Sequence, residues 1–303
     1  EADMAASLER IMAELAHPAA DEFSPLELSS LNFQSHIEQT AFEKMVEEAR
    51  SLIRQGDMFQ CVLSQRFSAE YSGRPLDYYR NLRVTNPSNY LYFYDFGDYQ
   101  IIGASPESLV SVKQGQVTTN PIAGTRPRGK DEREDRSLAE ELLADEKEVA
   151  EHRMLVDLGR NDIGKIAQNN SVEVTKYMEV EYFRYVMHLT SVVRGQLLPQ
   201  LTAMDALKST LPAGTVSGAP KIRAMKRIYE LEQEKRGVYA GAIGYLSATG
   251  DMDFAIAIRT MILKNGRAYV QAGAGIVYDS IPANEYQETI NKAKSMTKIG
   301  EMQ

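Results

Sequence analysis

The chain has 303 residues, of which 43% are hydrophobic and 25% are charged, a composition typical of soluble globular proteins with one or two domains. Its 34 Lys and Arg against 42 Asp and Glu give a net charge of −8, which argues against a nucleic-acid or anionic-membrane surface. A single cysteine excludes an intrachain disulfide, and no apolar run approaches the ~20 residues that a membrane span needs.

The first half of the chain predicts a helical N-terminal segment followed by strands. Residues 1–16 have helical periodicity, whereas 17–36 contain two prolines and many small polar residues and read as a linker. Apolar residues at helical spacing predict an amphipathic helix over 38–55. Five β-branched and aromatic stretches then predict strands, with FGDY and KQGQ turns that indicate antiparallel hairpins: 59–71, 89–97, 99–104, 108–115 and 116–121.

The second half alternates helices with further strands. Helices are predicted over 131–169 and over 202–209. A third follows the glycine-rich segment LPAGTVSGAPK and continues through Leu231, and a last one runs from about Pro282 to the end. The turns ATGD and KNGR indicate hairpins. The predicted strands are SVEVTKYMEVEYF, VMHLTSVVRGQL, 238–248, 251–264 and 267–277.

Antiparallel hairpins that alternate with long helices indicate an α+β layered fold. The sequence contains no repeat of solenoid length, and its composition changes only near residues 17–36. We therefore predict one domain over 37–303, preceded by an N-terminal helix and linker over 1–36.

The lone cysteine and the start of the chain bear on the cellular compartment. Cys61 lies in an apolar strand-like run, which is typical of an inert core thiol. No signal-peptide pattern opens the sequence, so we expect a reducing, cytoplasmic compartment. The first residue is Glu1 rather than Met, which suggests a processed or truncated product.

Two pairs of glutamates are the strongest indication of chemistry in the sequence. Glu148 with Glu151, and Glu285 with Glu288, are three residues apart in segments predicted to be helical, so each pair lies on one helix face. Carboxylates at this spacing suit a hard divalent cation such as Mg²⁺. A solvated acidic face is the alternative for either pair, and Glu148 could instead complete a capping box with Asp145.

Three glycine-rich segments could receive an anion. PIAGTRPRG (121–129) places a glycine between prolines, LPAGTVSGAPKIR (211–223) places glycines before a predicted helix, and QAGAGIVYDS (271–280) places two glycines at a strand end. Backbone N–H groups in such segments can bind a carboxylate or phosphate, and strand glycines allow close approach of a ligand. A rigid loop, a strand-to-helix turn and a β-bulge are the respective structural alternatives.

Two further residues are candidates for proton transfer. His188 is a lone histidine in an apolar strand-like run, which is typical of a hydrogen-bonded core histidine but also allows a proton shuttle. Glu107, in GASPES, qualifies as a general acid only if it faces the metal site. The other histidines are interpreted structurally: His152 as a brace for the helix of the first glutamate pair, His17 and His36 as surface residues.

Ten segments, in order and at compatible spacing, resemble the chorismate-utilising enzymes, and among them most closely the component I chains of anthranilate synthases. The match runs from about residue 40 to residue 300. It implies a four-layer α/β/β/α sandwich of two large, mostly antiparallel sheets with helices outside, and chorismate and Mg²⁺ as ligands. The segments are FQCVLSQRF, GASPESL, PIAGTRPRG, EHRMLVDLGRND, VMHLTSVVRG, LPAGTVSGAPK, GVYAGAIGYL, AIAIRTM, GAGIVYDS and EYQETINKA.

The resemblance implies roles for individual residues. Glu107 would protonate the leaving C4 hydroxyl of chorismate, and His188 would help to remove the C2 proton as pyruvate leaves. Arg259, with Tyr239, would take the enolpyruvyl carboxylate. The implied metal ligands are Glu148, Glu151, Glu285 and Glu288, and the implied substrate contacts are Ala123, Gly124, Thr125, Thr215, Tyr239, Arg259, Gly273, Ala274, Gly275 and Lys292.

Two positions discriminate among family members. Relatives that add water carry lysine at the position of Gln60, so a neutral glutamine favours ammonia as the nucleophile. Aminodeoxychorismate synthases usually carry a lysine at the position of Ala123 that can form a covalent adduct. Both residues favour conversion of chorismate and ammonia to anthranilate and pyruvate, the first step of tryptophan biosynthesis, with aminodeoxychorismate synthesis and a binding-only domain as alternatives.

The resemblance also bears on partners. The sequence has no Cys–His glutaminase pattern, so ammonia is expected from a separate glutamine amidotransferase subunit, component II. Family members usually have a further N-terminal region with a tryptophan feedback site and a Leu-Leu-Glu-Ser element, which is not found in this sequence. We expect the chain to correspond to the chorismate-binding domain of such an enzyme.

Overall fold

The computed structural model describes residues 2–16, 31–183 and 186–297. Within these ranges the strands form two seven-stranded sheets in which every pairing is antiparallel. The helices are α1 (Ala2–Ala16), α2 (Gln39–Arg54), α3 (Pro75–Thr85), α4 (Glu132–Ala144), α5 (Glu146–Gly164), α6 (Ala203–Thr210), α7 (Lys221–Leu231) and α8 (Pro282–Thr297), with a 3₁₀ turn at Gly214–Val216.

The first sheet has the order β1-β2-β14-β13-β4-β3, and β10 also pairs with β2. Its longest ladder joins β14 to β2, from Arg267 opposite Glu70 to Ile276 opposite Cys61. The strands are β1 (Gln34–Ser35), β2 (Gln60–Glu70), β3 (Tyr90–Asp95), β4 (Tyr99–Ser105), β10 (Gly218–Ala219), β13 (Thr260–Lys264) and β14 (Arg267–Ile276).

The second sheet has the order β11-β12-β5-β6-β9-β7, and β8 also pairs with β9. The hydroxyls of Tyr90 and Tyr94 on β3 reach it by donating to Asp253 Oδ1 (3.0 Å) and to the Gly244 carbonyl (3.1 Å). The strands are β5 (Ser108–Lys113), β6 (Gln116–Thr119), β7 (Ile122–Pro127), β8 (Glu173–Tyr182), β9 (Val186–Gln196), β11 (Ala242–Leu246) and β12 (Met252–Ile256).

Each sheet is covered by helices, because alternate strand residues are apolar and need a dry partner surface. Tyr78 of α3 and Met296 of α8 pack on the first sheet, where Tyr78 is fully buried. Helices α5 and α6 pack on the second sheet, with Ile163 fully buried. The predicted α+β fold of two large antiparallel sheets with helices is confirmed.

Several sequence-based assignments were wrong, and helix α3 (Pro75–Thr85) was not predicted. The strand predicted over 251–264 is two strands in different sheets, because the chain crosses between them at residues 257–259, where Arg259 has a φ of +48°. The segment 121–129, for which no strand was predicted and a rigid loop was the structural alternative, contains β7. The helical zone over 131–169 is two helices that meet at Asp145, whose side chain accepts hydrogen bonds from the backbone N–H groups of Lys147 and Glu148.

The N-terminal region is only partly covered by these ranges. The predicted first helix is α1, and residues 34 and 35 of the predicted linker form a short strand on β2. His17 and linker residues 17–30 lie outside the described residues, so the domain boundary at residue 36 stays a prediction. Among the described helices, none has the length and apolar character to cross a membrane.

Candidate functional site

The two glycines of β14 create space for side chains from other elements. A Cβ at Gly273 would lie 2.6 Å from the Tyr239 hydroxyl, and one at Gly275 would lie 2.6 Å from Gln60 Nε2. Side chains alternate along a strand, so Gly273 and Gly275 share one face and Ala274 has the other. The Ala274 methyl is fully buried in the core beneath α2, so only its backbone can reach a ligand on the glycine face.

Gln60 presents an unsatisfied acceptor beside this face. The residue is only 4% exposed, and its Oε1 has no hydrogen-bond partner among the described residues. A buried acceptor left unpaired costs about 1–3 kcal/mol. The position is therefore suited to a small ligand that can donate a hydrogen bond.

Arg259 places a cation at the crossing between the two sheets. Desolvation lowers the pKa of its guanidinium although part of the residue stays accessible, and among the described residues the guanidinium forms no ion pair with a carboxylate. Burial also raises the pKa of the neighbouring Tyr239 to about 12, so its hydroxyl stays protonated as a donor. A largely desolvated guanidinium beside a hydroxyl donor suits a carboxylate.

Glu107 lies beside Thr215 in a cavity that α5 closes with Leu155 and Leu158. Part of the residue is accessible, yet burial of its carboxyl raises the pKa to about 7, with the Thr215 hydroxyl and the Lys292 ammonium opposing the rise. Thr215 Oγ1 is buried and has no hydrogen bond of normal geometry. A carboxyl with this pKa can donate a proton near neutral pH.

Lys292 connects the acid with the glutamates. Its Nζ donates to the Gly273 carbonyl (3.0 Å) and lies 2.6 Å from Glu288 Oε1. It also acts electrostatically on the carboxyls of Glu107 and Glu151. The ammonium group of Lys292 thus contacts the glycine strand and α8, and it acts electrostatically on the acid and on α5.

His188 is held by β7, which pairs with β9 so that Thr125 lies opposite it. His188 Nδ1 lies 2.9 Å from the Gly124 carbonyl and 3.1 Å from Thr125 Oγ1. A carbonyl only accepts, so Nδ1 carries the hydrogen and Nε2 has the free lone pair. This tautomer leaves Nε2 able to accept a proton.

Gly124 brings this strand against the first glutamate pair. Its φ is +66°, and a Cβ there would lie 2.9 Å from Leu142 Cδ1 and 3.4 Å from Glu148 Oε2. The register between β7 and β9 shifts between Ala123 and Thr125. Glycine is therefore required at this bulge both by its conformation and by the close approach of α4 and α5.

The four glutamates share one electrostatic environment. Burial raises the pKa of Glu151, and the carboxylates of Glu148 and then Glu288 add to the rise. Burial likewise raises the pKa of Glu285, with Glu288 adding to it. Helices α5 and α8 thus direct their carboxylates toward each other and toward a shared space.

This acidic space fits a cation but is not closed around one. Among the described residues, no group of three or more Asp, Glu, His or Cys side chains stands close enough to hold a metal ion. Glu288 is paired with Lys292, and Glu148 lies 3.9 Å from Arg126 Nη1. Carboxylate oxygens, two of them on the partly desolvated groups of Glu151 and Glu285, are nevertheless the donor set that Mg²⁺ prefers.

The other histidines have structural contacts. His152 is fully buried, its Nε2 lies 2.6 Å from Ser191 Oγ, and burial lowers its pKa to about 4. This contact ties α5 to β9, as expected of a brace. His36 is partly exposed and bonds to Ser68 Oγ at 2.8 Å.

Sequence reasoning missed a buried pair behind the site, Glu232 and Arg236. Arg236 donates to the Val216 and Val62 carbonyls at 2.6 Å each, and its guanidinium lies 5.5 Å from the centre of the Tyr239 ring. The sequence signal, a glutamate four residues before an arginine, is that of an ordinary surface pair.

Known proteins resemble this chain over most of its length. Anthranilate synthase component 1 of Lactococcus lactis subsp. lactis (strain IL1403) is 62% identical over 275 residues, 91% of this chain and 60% of that protein. Its counterpart in Aquifex aeolicus (strain VF5) is 53% identical over 271 residues, 89% of this chain and 55% of that protein. The chain therefore spans little more than half the length of these relatives.

Solved structures agree with the fold. The crystal structure of anthranilate synthase component I from Streptococcus pneumoniae TIGR4 has a TM-score of 0.92 and 76% identity, covering 98% of this chain and 66% of that chain. The menaquinone-specific isochorismate synthase of Escherichia coli has a TM-score of 0.81 and 26% identity, covering 97% and 68%. The family model described as chorismate binding enzyme matches residues 2–298, so the chain belongs to that family.

Proposed function

We propose that this chain carries the active site of an anthranilate synthase component 1, which converts chorismate and ammonia to anthranilate and pyruvate as the first step of tryptophan biosynthesis. The observation that carries the proposal is Arg259, a largely desolvated cation that forms no ion pair among the described residues and lies beside Tyr239, whose hydroxyl approaches Gly273. Chorismate is a dianion, and its enolpyruvyl carboxylate would pair with this guanidinium.

The acidic space between α5 and α8 would receive the second carboxylate only through a cation. Glu148, Glu151, Glu285 and Glu288 would hold Mg²⁺, which supplies positive charge where four carboxylates would otherwise repel the substrate. Lys292 lies at the border of this space and contacts Glu288, so its ammonium would also face the substrate. The backbones of Gly124, Thr125, Gly273 and Gly275 would contact the ring and its carboxylate.

The first step adds ammonia at C2 of chorismate and expels the C4 hydroxyl. Gln60 Oε1, buried and without a partner, would accept a hydrogen bond from ammonia. Glu107, with a pKa of about 7, would protonate the departing hydroxyl so that it leaves as water.

The second step removes pyruvate and makes the ring aromatic. His188 Nε2, free by its tautomer, would take the C2 proton while the C3–O bond to the enolpyruvyl group breaks. The leaving group departs as the enolate of pyruvate, which takes a proton at its methylene carbon to become pyruvate, and anthranilate remains. Neither step forms a covalent bond between the enzyme and the substrate. This fits Ala123, which has no amine with which to attack the ring.

One assay distinguishes the proposed function from the two alternative functions. Purified chain is mixed with chorismate, MgCl₂ and ammonium salt, and anthranilate fluorescence and pyruvate are followed. Equal amounts of both support the proposal. Aminodeoxychorismate without pyruvate supports the related folate-pathway activity, and chorismate binding without turnover supports a binding-only domain.

The nitrogen source tests the proposed partner. Glutamine alone as the nitrogen source should give no anthranilate. Addition of a glutamine amidotransferase subunit, component II, should allow anthranilate to form from glutamine. We also propose a cytoplasmic location, which is compatible with a chain whose single, buried cysteine allows no intrachain disulfide.

A further inference from the structure

The buried pair of Arg236 and Glu232 lies outside every group that the proposed chemistry uses, yet it touches three elements of the site. The side chains are 16% and 6% exposed. Arg236 Nε donates to Glu232 Oε2 at 2.8 Å, and Arg236 Nη2 donates to Glu232 Oε1 at 2.6 Å. A buried ion pair pays a large desolvation cost, so stability alone is a weak reason to keep one.

Arg236 fixes the positions of two backbone segments. Its Nη1 donates to the carbonyl of Val216, which belongs to the 3₁₀ turn that carries Thr215, and its Nη2 donates to the carbonyl of Val62, two residues after Gln60. A guanidinium can make these bonds together because its five N–H donors are fixed in one plane.

Glu232 extends the network to the glycine strand. Its Oε1 accepts from Ser64 N at 2.6 Å and from Ser64 Oγ at 2.9 Å. Ser64 Oγ in turn accepts from Gln271 Nε2 at 2.9 Å, two residues before Gly273. The strands that carry Gln60 and Gly273 are thus tied to the same carboxylate.

Tyr239 depends on the same arginine. The guanidinium carbon of Arg236 lies 5.5 Å from the centre of the Tyr239 ring, and the hydroxyl at the other end of that ring reaches over Gly273. A cation at this distance attracts the ring face. Loss of Arg236 would remove this attraction, and the hydroxyl could shift along the strand.

We infer that Arg236 and Glu232 form a positioning pair, which sets the spacing between Tyr239, Thr215 and the Gln60–Gly275 wall without touching the substrate. The inference rests on the proposed function for its chorismate readout. Displacement of site groups by on the order of 1 Å can cost roughly 100-fold in efficiency. The loss should fall mainly on chorismate binding, because the groups displaced are those proposed to hold it.

The test uses the double variant Arg236→Met/Glu232→Met, which removes both charges and leaves neither one buried alone. Circular dichroism and urea unfolding establish that it folds. We expect the chorismate Kd by calorimetry, and the KM with ammonium salt, to rise by roughly 100-fold while kcat falls far less. Arg236→Lys should not restore binding, because one ammonium cannot make all four bonds.

The matched control is Arg223→Gln on α7, which breaks a contact with Asp57 away from the site and should change the KM within about twofold. Amide hydrogen exchange provides a readout that does not need chorismate. Residues 214–217 and 238–241 should exchange faster in the double variant by more than its loss of global stability accounts for. Unchanged exchange there, or parental Kd in a folded double variant, would overturn the inference, whereas a parent chain that binds no chorismate would overturn only the proposed function.

Discussion

Glu107 combines a position in a cavity with a pKa of about 7, whereas an ordinary glutamate titrates near 4.5. The physical cause is burial, which penalises the charged form more than the Thr215 hydroxyl and the Lys292 ammonium favour it. Such a group changes protonation in the range where the proposed reaction runs. The surroundings of Glu107 should therefore determine how kcat and the free energy of unfolding depend on pH.

The acid form of Glu107 is the one proposed to act, so kcat should fall as pH rises above about 7. Glu107→Gln should lower kcat by roughly 10²–10⁴-fold and remove this alkaline limb. Steady-state kinetics from pH 6 to pH 9 measures both effects, with the pH values chosen to bracket the pKa. A full alkaline limb in Glu107→Gln would assign that limb to another group, and Glu132→Gln, on the exposed surface of α4, is the control.

The same variant should change how stability depends on pH. The folded state holds the Glu107 proton more tightly than the unfolded state, because the folded pKa is raised. Its contribution to stability is therefore complete below the unfolded pKa of 4.5 and is lost as pH rises through about 7. Urea unfolding of the parent and of Glu107→Gln should show the variant gaining stability relative to the parent over this interval; parallel curves would contradict the prediction.

His188 allows the two proposed steps to be separated. Its replacement by Ala removes the Nε2 acceptor, so the aminated intermediate should accumulate while anthranilate formation slows by roughly 10²–10⁴-fold. Chromatography of quenched single-turnover mixtures detects the intermediate. His36→Ala, at a partly exposed histidine that bonds to Ser68, serves as the control. Anthranilate formed at the parental rate would remove His188 from the second step.

At the scale of elements, the period-two and helical patterns identified most strands and helices, whereas the errors came from tertiary contacts. Residues 257–259, between β12 and β13, contain no Pro or Gly that would mark the end of a strand. The chain breaks there because Met252–Ile256 and Thr260–Lys264 join different sheets. β7 reads as a loop because of its glycine and prolines, yet β9 supplies a partner strand. The glutamate pairs could be identified because helical spacing is a local pattern. The contacts of Arg236 with Val62 and Val216 join residues far apart in the sequence, so no local pattern indicates them.

Gly218 gives a quantitative test of element packing. Its φ is +137°, and a Cβ there would lie 2.2 Å from the Gln60 carbonyl oxygen, where β10 meets β2. Gly218→Ala should therefore cost about 1–3 kcal/mol for the backbone conformation and about 1–3 kcal/mol more for the clash. Chemical denaturation measures this loss. Gly237→Ala, with φ +62° and nothing within 4 Å, carries only the first cost, so equal losses in the two variants would contradict this account.

At the scale of the whole molecule, the proposed metal site joins helices from the two halves of the sandwich. Helix α5 packs on the second sheet and α8 on the first, and Glu288 of α8 adds to the rise in the pKa of Glu151 on α5. The family resemblance predicted that these distant segments would meet, and local patterns could not have done so. Bound cation would replace repulsion with attraction across this junction.

Mg²⁺ should therefore raise the Tm of the chain, and EDTA should lower it again. At a concentration 100 times the Kd, the expected stabilisation is about 2.7 kcal/mol. Glu151→Gln/Glu288→Gln should abolish the shift, whereas Asp157→Asn, at an exposed carboxylate on α5, should retain it. Differential scanning calorimetry at several MgCl₂ concentrations makes the measurement. An undiminished shift in the double glutamine variant would place the ion elsewhere.

The ladder between β2 and β14 has a consequence for synthesis on the ribosome. Its partners, such as Cys61 and Ile276, lie more than two thirds of the chain apart, and β13 and β4 are placed beyond β14 in the same sheet. The edge of β2 that pairs with β14 therefore stays unpaired until β14 has been translated. Nascent chains halted shortly before residue 267 should consequently remain protease-sensitive and depend on chaperones.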